Sequence, residues 1–337
     1  MRSRVGEIHA VHAREDIDIG TIALHSAGPR ETSLGLCQPA GAPTERVNLI
    51  MGGGGVRLPA YVGALAALEE LNVEICAIAG ASAGSIVASF VAAGWSIERI
   101  RLEVLNTNFR RFKDLSLRGL LLHGGLYAGN RFERWMDDAL QGATFNDLPR
   151  DLFVTAVDLY GRTPVFFSRF TTPAMRVSHA VRCSMAIPWV WRPLRMDQKL
   201  LADGQLMPWM ARGLELMTKH AGPAASARTI MLRLVSESPT PMPTRRHLFP
   251  WDFARLLLDT MLSALENQRV PGAMWEDTIL INCGNIRTLQ LALSPDDKEH
   301  LWQCGFDQTH RYYRKGVVDS SGPRSRRNDR TIASPEG

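Results

Sequence analysis

The chain is predicted to fold as an α/β protein around a mostly parallel sheet. Short apolar runs alternate along it with segments of helical spacing. Two of the first runs end in Gly-rich turns that lead straight into apolar helices, a strand-helix-strand-helix opening that implies parallel strands joined by a crossover. The composition is that of an ordinary globular chain: 337 residues, 45% hydrophobic and 22% charged. Wholesale disorder and fibrous repeats are excluded on that balance.

Each element has a local reason. Residues 1–45 mix charges with Gly, Pro and Ser and read as a poorly ordered extension. Val47–Met51 is a short apolar run ending in glycines, which suits a buried strand. Leu58–Leu71 has helical spacing, with Leu58, Val62, Leu65 and Leu68 on one stripe. Glu74–Ala79 reads as a second buried strand and Ser85–Ala93 as a helix of small residues. Helices are predicted near 96–107 and 130–140, then strands over 152–157 and 165–168 around a Gly161-Arg162 turn. Helical patterns recur near 173–183 and 206–217, with a short strand over Lys199–Ala202. Thr229–Val235 reads as a strand, and Ser238–Pro250, with four prolines, as a loop. Trp251–Leu265 is an amphipathic helix and Ile279–Asn282 the last core strand.

The net charge is +5, too mild to call for nucleic acid, and no nucleic-acid partner is expected. From Arg311 onward seven basic residues face three acidic ones, so this tail carries most of the excess. Five cysteines, at 37, 76, 183, 283 and 304, show no metal-ligand or disulfide spacing. Cys76, Cys183 and Cys283 read as small buried residues, and no metal or cofactor is expected. The N-terminus has no apolar core of secretory type, which predicts a cytoplasmic protein. Ile75–Trp95 lacks charge over 21 residues, but Gly80–Gly84 breaks it, so strand, turn and helix fit better than a membrane span.

Three motifs carry chemistry. Gly80-Ala81-Ser82-Ala83-Gly84 is Gly-x-Ser-x-Gly between a predicted strand and helix, a setting that projects a Ser hydroxyl from the sheet edge. Alone it also fits an ordinary tight turn. Gly52-Gly53-Gly54-Gly55-Val56-Arg57 leaves backbone N–H groups unobstructed at a helix start, where an anion or a developing oxyanion is held. A nucleotide P-loop would need Gly-Lys-Ser/Thr next, and a dinucleotide fingerprint a third Gly where Arg57 or Leu58 stands. One helix and one strand separate the two motifs, so both loops are expected at the same sheet edge, with the Ala83 N–H assisting. A nucleophilic Ser needs a base. His123, His179, His220, His247, His300 and His310 have no compelling setting. Asp203-Gly204 follows a short strand and precedes a helix, which places it at the functional edge of a parallel sheet; a capping Asp is the alternative.

Together, in this order, these segments resemble the patatin-like phospholipase family. Thr144–Pro149, Val154–Leu159 and Ser184–Pro188 add further similarity, and the resemblance covers about 47–215, more weakly to 285. It implies a three-layer α/β/α fold and an acyl-lipid hydrolase with a Ser-Asp dyad and no metal. By the match, Ser82 is the nucleophile and Asp203 the base. Gly53, Gly54 and Gly55 hold the oxyanion, Arg57 stands at the family's basic position, and Gly52, Gly80, Gly84 and Gly204 support them. Leu58 after Arg57 and Gln205 after Gly204 depart from the usual pattern. The implied organisation is an extension over 1–45, a catalytic domain over 46–290, a helical segment over 291–316 and a basic disordered tail over 317–337.

An acyl substrate needs an apolar channel, and Trp189 and Trp191 are candidates to line it. Trp251–Leu258 fits core packing better than an interfacial helix, and the Arg-rich tail fits a solvated segment better than a lipid contact. The expected partner is a phospholipid or other acyl lipid, with peripheral membrane contact left open. Three alternatives remain: an α/β-hydrolase esterase with a Ser-His-Asp triad, a non-catalytic lipid- or nucleotide-binding module, and an enzyme held inactive until a partner binds.

Overall fold

β1 (Glu45–Met51) leads through the glycine loop into α1 (Pro59–Glu70), whose first turn tolerates Pro59 because its N–H has no partner there anyway. β2 (Val73–Ala81) returns beside β1 in parallel, and α2 (Ala83–Ala92) follows after the single residue Ser82. α3 (Ile97–Asn106) starts at Ser96, whose hydroxyl accepts the Arg99 N–H. β3 (Gly125–Tyr127) precedes α4 (Asn130–Ala139), where Asp114 accepts the N–H groups of Gly129, Asn130 and Arg131. Then come β4 (Asp151–Asp158), β5 (Thr163–Phe167), α5 (Val177–Ser184), β6 (Trp189–Trp191), β7 (Leu194–Met196) and β8 (Lys199–Asp203). The chain continues with α6 (Met210–His220), β9 (Arg228–Val235), α7 (Pro250–Glu266), β10 (Thr278–Asn282) and α8 (Pro295–Ser320). The computed structural model describes residues 43–116, 124–220, 227–236, 249–266, 275–290 and 292–320. The expectations for residues 1–42, His123, the proline loop up to 248 and residues 321–337 lie outside them.

The main sheet runs β10-β9-β1-β2-β4-β8-β7, with β5 also paired to β4. The five strands from β10 to β4 are mutually parallel, whereas β5 and β8 run antiparallel to β4, and β7, antiparallel to β8, runs with the five again. Side chains alternate as the pleat requires. Leu49, Met51, Ile78, Val154 and Leu232 join a large core beneath α1, α2, α5 and α8. Ile50, Ala79, Phe153 and Met231 face a smaller core closed by Trp209 and Met217 of the α6 region. Burial on both faces explains why these strands read as continuous apolar runs.

Several boundaries move. The helix read near 173–183 begins only at Val177, after Pro173, and that near 206–217 begins at Met210, after a tight turn over Gly204–Leu206 and Pro208. β3, β6 and β7 are three residues each, too short to show a period. Cys76, read as buried, is the unpaired residue where the register jumps from Val47↔Ile75 to Asn48↔Ala77, and it is half-buried. α1 is buried on nearly all sides instead of along one stripe. A Cβ on Gly63 would lie 1.9 Å from the Trp302 carbonyl oxygen, and one on Gly305 1.8 Å from that of Ala60. Two glycines thus let α1 and α8 pack backbone to backbone.

Candidate active site

The site forms where β1 and β2 end. Met51 pairs with Gly80, so the glycine loop and Ser82 leave the sheet at one level. Ser82 adopts φ 49° and ψ −125°, a strained conformation for a residue with a side chain. The turn closes tightly around it. A Cβ on Gly84 would lie 2.4 Å from the Met51 and Gly52 carbonyl oxygens, and one on Gly80 2.7 Å from the Ser85 backbone. Only glycine lets α2 begin directly against the loop.

Asp203 arrives by a route the sequence reading did not anticipate. β8 is antiparallel to β4, so Asp203 is not at the end of a parallel strand. Register brings it there nonetheless. Ala81 pairs with Thr155, and the next residue, Ala156, pairs with Asp203, one step beyond β2 and level with Ser82. A Cβ on Gly204 would lie 2.2 Å from the Thr155 carbonyl oxygen, so the turn after Asp203 also requires glycine. Asp203 is fully buried and Ser82 nearly so. Burial pushes the Asp203 carboxyl up to about 6, against the opposing pull of hydrogen bonding with the Ser82 hydroxyl and the Gln205 N–H. Oδ1 accepts that N–H at 2.8 Å, and Oδ2 has no other partner of regular geometry among the described residues. A carboxyl poised near neutrality beside a hydroxyl is equipped to take its proton.

One segment braces both groups. The Ser82 N–H donates to Ser184 Oγ at 2.8 Å, and the Asp203 N–H to the Ala186 carbonyl at 3.0 Å. Both contacts come from the block Ser184–Pro188, whose sequence signal is a small hydroxyl residue beside a helix end. Tyr61 is a further unanticipated contributor. Its buried hydroxyl donates to the carbonyls of Gly52 and Gly53 at 2.8 and 2.9 Å, fixing the peptide orientations of the loop.

The glycines divide. Gly53, read as an oxyanion donor, gives its N–H to Gln205 Oε1 at 2.9 Å, and the same oxygen accepts Trp209 Nε1–H at 3.3 Å. Gly55 borders the cavity in front of Ser82, as does Ala83 at the start of α2. Arg57 is buried under the loop, its Nε donating to the Gly54 carbonyl at 3.1 Å. It therefore orders the loop from behind.

Ser82 opens into a cavity of about 660 Å³ with almost wholly apolar walls. Ile86, Phe112, Phe132 and Tyr127 form part of it, and both Trp189 and Trp191 line it. Ala254 and Leu258 of α7 close another side, next to Thr288 and Leu289. No described histidine lines this cavity. His179 pairs with Glu133, His220 stacks on Phe170, His300 contacts Cys304 and His310 faces Glu70. No cluster of His, Cys, Asp or Glu among the described residues could hold a metal, and no described helix is long and apolar enough to cross a membrane.

The chain is similar to several known proteins in sequence and in fold. Residues 49–208 match the family model of patatin-like phospholipases. The uncharacterized protein R571 of Acanthamoeba polyphaga mimivirus is 30% identical over 170 residues, 47% of this chain and 57% of that one. The uncharacterized NTE family protein Rv1063c of Mycobacterium tuberculosis is 32% identical over 174 residues, 50% of this chain and 44% of that one. The chain thus spans about half the length of these curated relatives. Among solved structures, VipD from Legionella pneumophila superposes with a TM-score of 0.56 at 16% identity, covering 80% of this chain and 67% of that one, which shows a shared fold. The similarity to patatin-like phospholipases thus lies in residues 49–208, just under half of the chain.

Proposed function

We propose that the protein is a lipid acyl hydrolase of phospholipase A or lysophospholipase type, cleaving carboxylic esters through a Ser82 acyl-enzyme. One observation carries the reading: Ser82 sits on a strained turn beside a buried carboxylate and faces an apolar cavity large enough for an acyl chain. In the proposed reaction, Asp203 takes the Ser82 proton as Oγ attacks the ester carbonyl. The oxyanion that forms is held by the N–H groups of Gly54, Gly55 and Ala83, the last at a helix N-terminus. Gly53 is left out because Gln205 holds its N–H. Collapse breaks the ester bond, and the departing alkoxide takes the proton from Asp203. Water then attacks the acyl-enzyme, giving its proton to Asp203, and the fatty acid leaves as Ser82 is reprotonated. No metal or cofactor enters any step.

The test is fatty-acid release from mixed phospholipid vesicles by the wild type, Ser82→Ala and Asp203→Asn. Both variants should lose on the order of 10³-fold in rate. An active Asp203→Asn beside a dead Ser82→Ala would defeat the dyad and move the base to a histidine.

A further inference from the structure

α7 is unusual in where its apolar side chains go. Phe253, Leu257 and Met261 stand four residues apart, so they form one stripe along the helix, and Phe249 precedes them at the same spacing. All four are exposed, Phe253 by 58% and Met261 by 47%. Ala254 and Leu258, each one residue further on and so about 100° round the helix, line the Ser82 cavity. The apolar surface therefore continues from the outside of α7 over its edge and into the cavity. Trp189 extends it, lining the same cavity while 56% exposed. Basic residues flank it in the chain. Arg110 and Arg111 are exposed between the cavity residues Phe109 and Phe112, while Arg192 follows Trp191 and Arg287 precedes Thr288. Packing in the core, favoured for Trp251–Leu258 from sequence alone, does not account for the outward stripe.

We propose that this face of α7 is a docking surface for an anionic lipid bilayer, which passes an acyl chain over the helix edge into the cavity. The proposal rests on the acyl-hydrolase reading for its purpose, but not for its measurement. An apolar stripe that runs into the cavity, with exposed Arg110 and Arg111 next in sequence to residues lining that cavity, fits a lipid interface, where apolar side chains enter the acyl boundary and cations meet the headgroups. A surface covered by another protein would have no need to be continuous with the reactive cavity.

The experiment measures cosedimentation with phosphatidylcholine vesicles containing phosphatidylserine. It uses full-length protein carrying Ser82→Ala, so that binding is read without turnover. Into this background go Phe253→Ser, Leu257→Ser and Met261→Ser together, all at exposed positions where a fold change is not expected, with circular dichroism as the control. The triple variant should bind at least about tenfold more weakly, because burying even one large apolar side chain is worth that factor. Binding of the parent should also weaken with added salt. A parent that does not bind, or a triple variant that binds as well as the parent, overturns the proposal. So does a parent that sediments as a dimer and becomes monomeric in the triple variant while vesicle binding is unchanged; the stripe would then be a self-interface. Failure of the hydrolase reading is seen separately, as an active-Ser82 protein that binds vesicles and releases no fatty acid.

Discussion

Asp203→Asn should make the protein inactive and, at neutral pH, more stable. The wild-type carboxyl is fully buried and held at about 6, against 3.8 for an ordinary aspartate. A difference of about two units corresponds to about 3 kcal/mol between the protonation states. The folded value lies above the unfolded one, so the folded state binds the proton more tightly. Stability is then greatest with Asp203 protonated, falls as pH rises above about 4 and levels off above about 6. Asparagine never ionises. Its Oδ1 can still accept the Gln205 N–H, which lies 2.8 Å from the carboxylate in the wild type. Urea denaturation of both proteins from pH 4 to 8 is the assay. The variant's advantage should be near zero at pH 4 and grow to at most about 3 kcal/mol at pH 8. A difference independent of pH, or a wild type that gains on the variant as pH rises, refutes the reasoning. The same ionisation should shape catalysis: wild-type kcat/KM should fall below about pH 6, where the base is protonated.

Gln205→Ala removes the acceptor of both the Gly53 N–H and the Trp209 indole, so it should cost about 1–3 kcal/mol in urea denaturation. It should also lower kcat roughly tenfold with little change in KM, since the loop loses its anchor while the cavity is intact. Gly305→Ala should lower Tm, reversing the usual gain of Gly→Ala in a helix, because the new methyl lies 1.8 Å from the Ala60 carbonyl oxygen and about 1–3 kcal/mol of overpacking results. Trp189→Ala should leave Tm almost unchanged, the side chain being largely exposed, but reduce kcat/KM for long-chain esters about fivefold while sparing short ones.

What the sequence made legible follows from chemistry that is local. Ser82 and the glycines announce themselves because a strained strand-to-helix turn and close backbone contact leave few residue choices, as the contacts of Gly80 and Gly84 show. The parallel strands were readable from apolar runs buried on both faces. Asp203 was found as a residue but misplaced in the sheet, because an antiparallel return such as β8 leaves no mark on a five-residue strand. The bracing roles of Ser184, Gln205 and Tyr61 went unread for a different reason: their partners lie 102, 152 and eight or nine residues away, and no spacing rule covers such bonds. The burial of α1 on all sides depends on α8, more than 200 residues further on, and on glycines whose purpose appears only when the helices meet. Trp251–Leu258 packs in the core through Leu258, but the exposure of Phe253 and Leu257 was not legible, because an amphipathic pattern gives the angle between two faces without saying which one the rest of the chain covers.

The most direct test of the central claim is labelling by a lipid-like fluorophosphonate, with the adduct mapped by peptide mass spectrometry. The wild type should carry one adduct, on Ser82, at a rate that rises with pH around the Asp203 midpoint of about 6. Asp203→Asn should slow it about a hundredfold or more. No adduct on Ser82, or labelling of Asp203→Asn at the wild-type rate, would contradict the account.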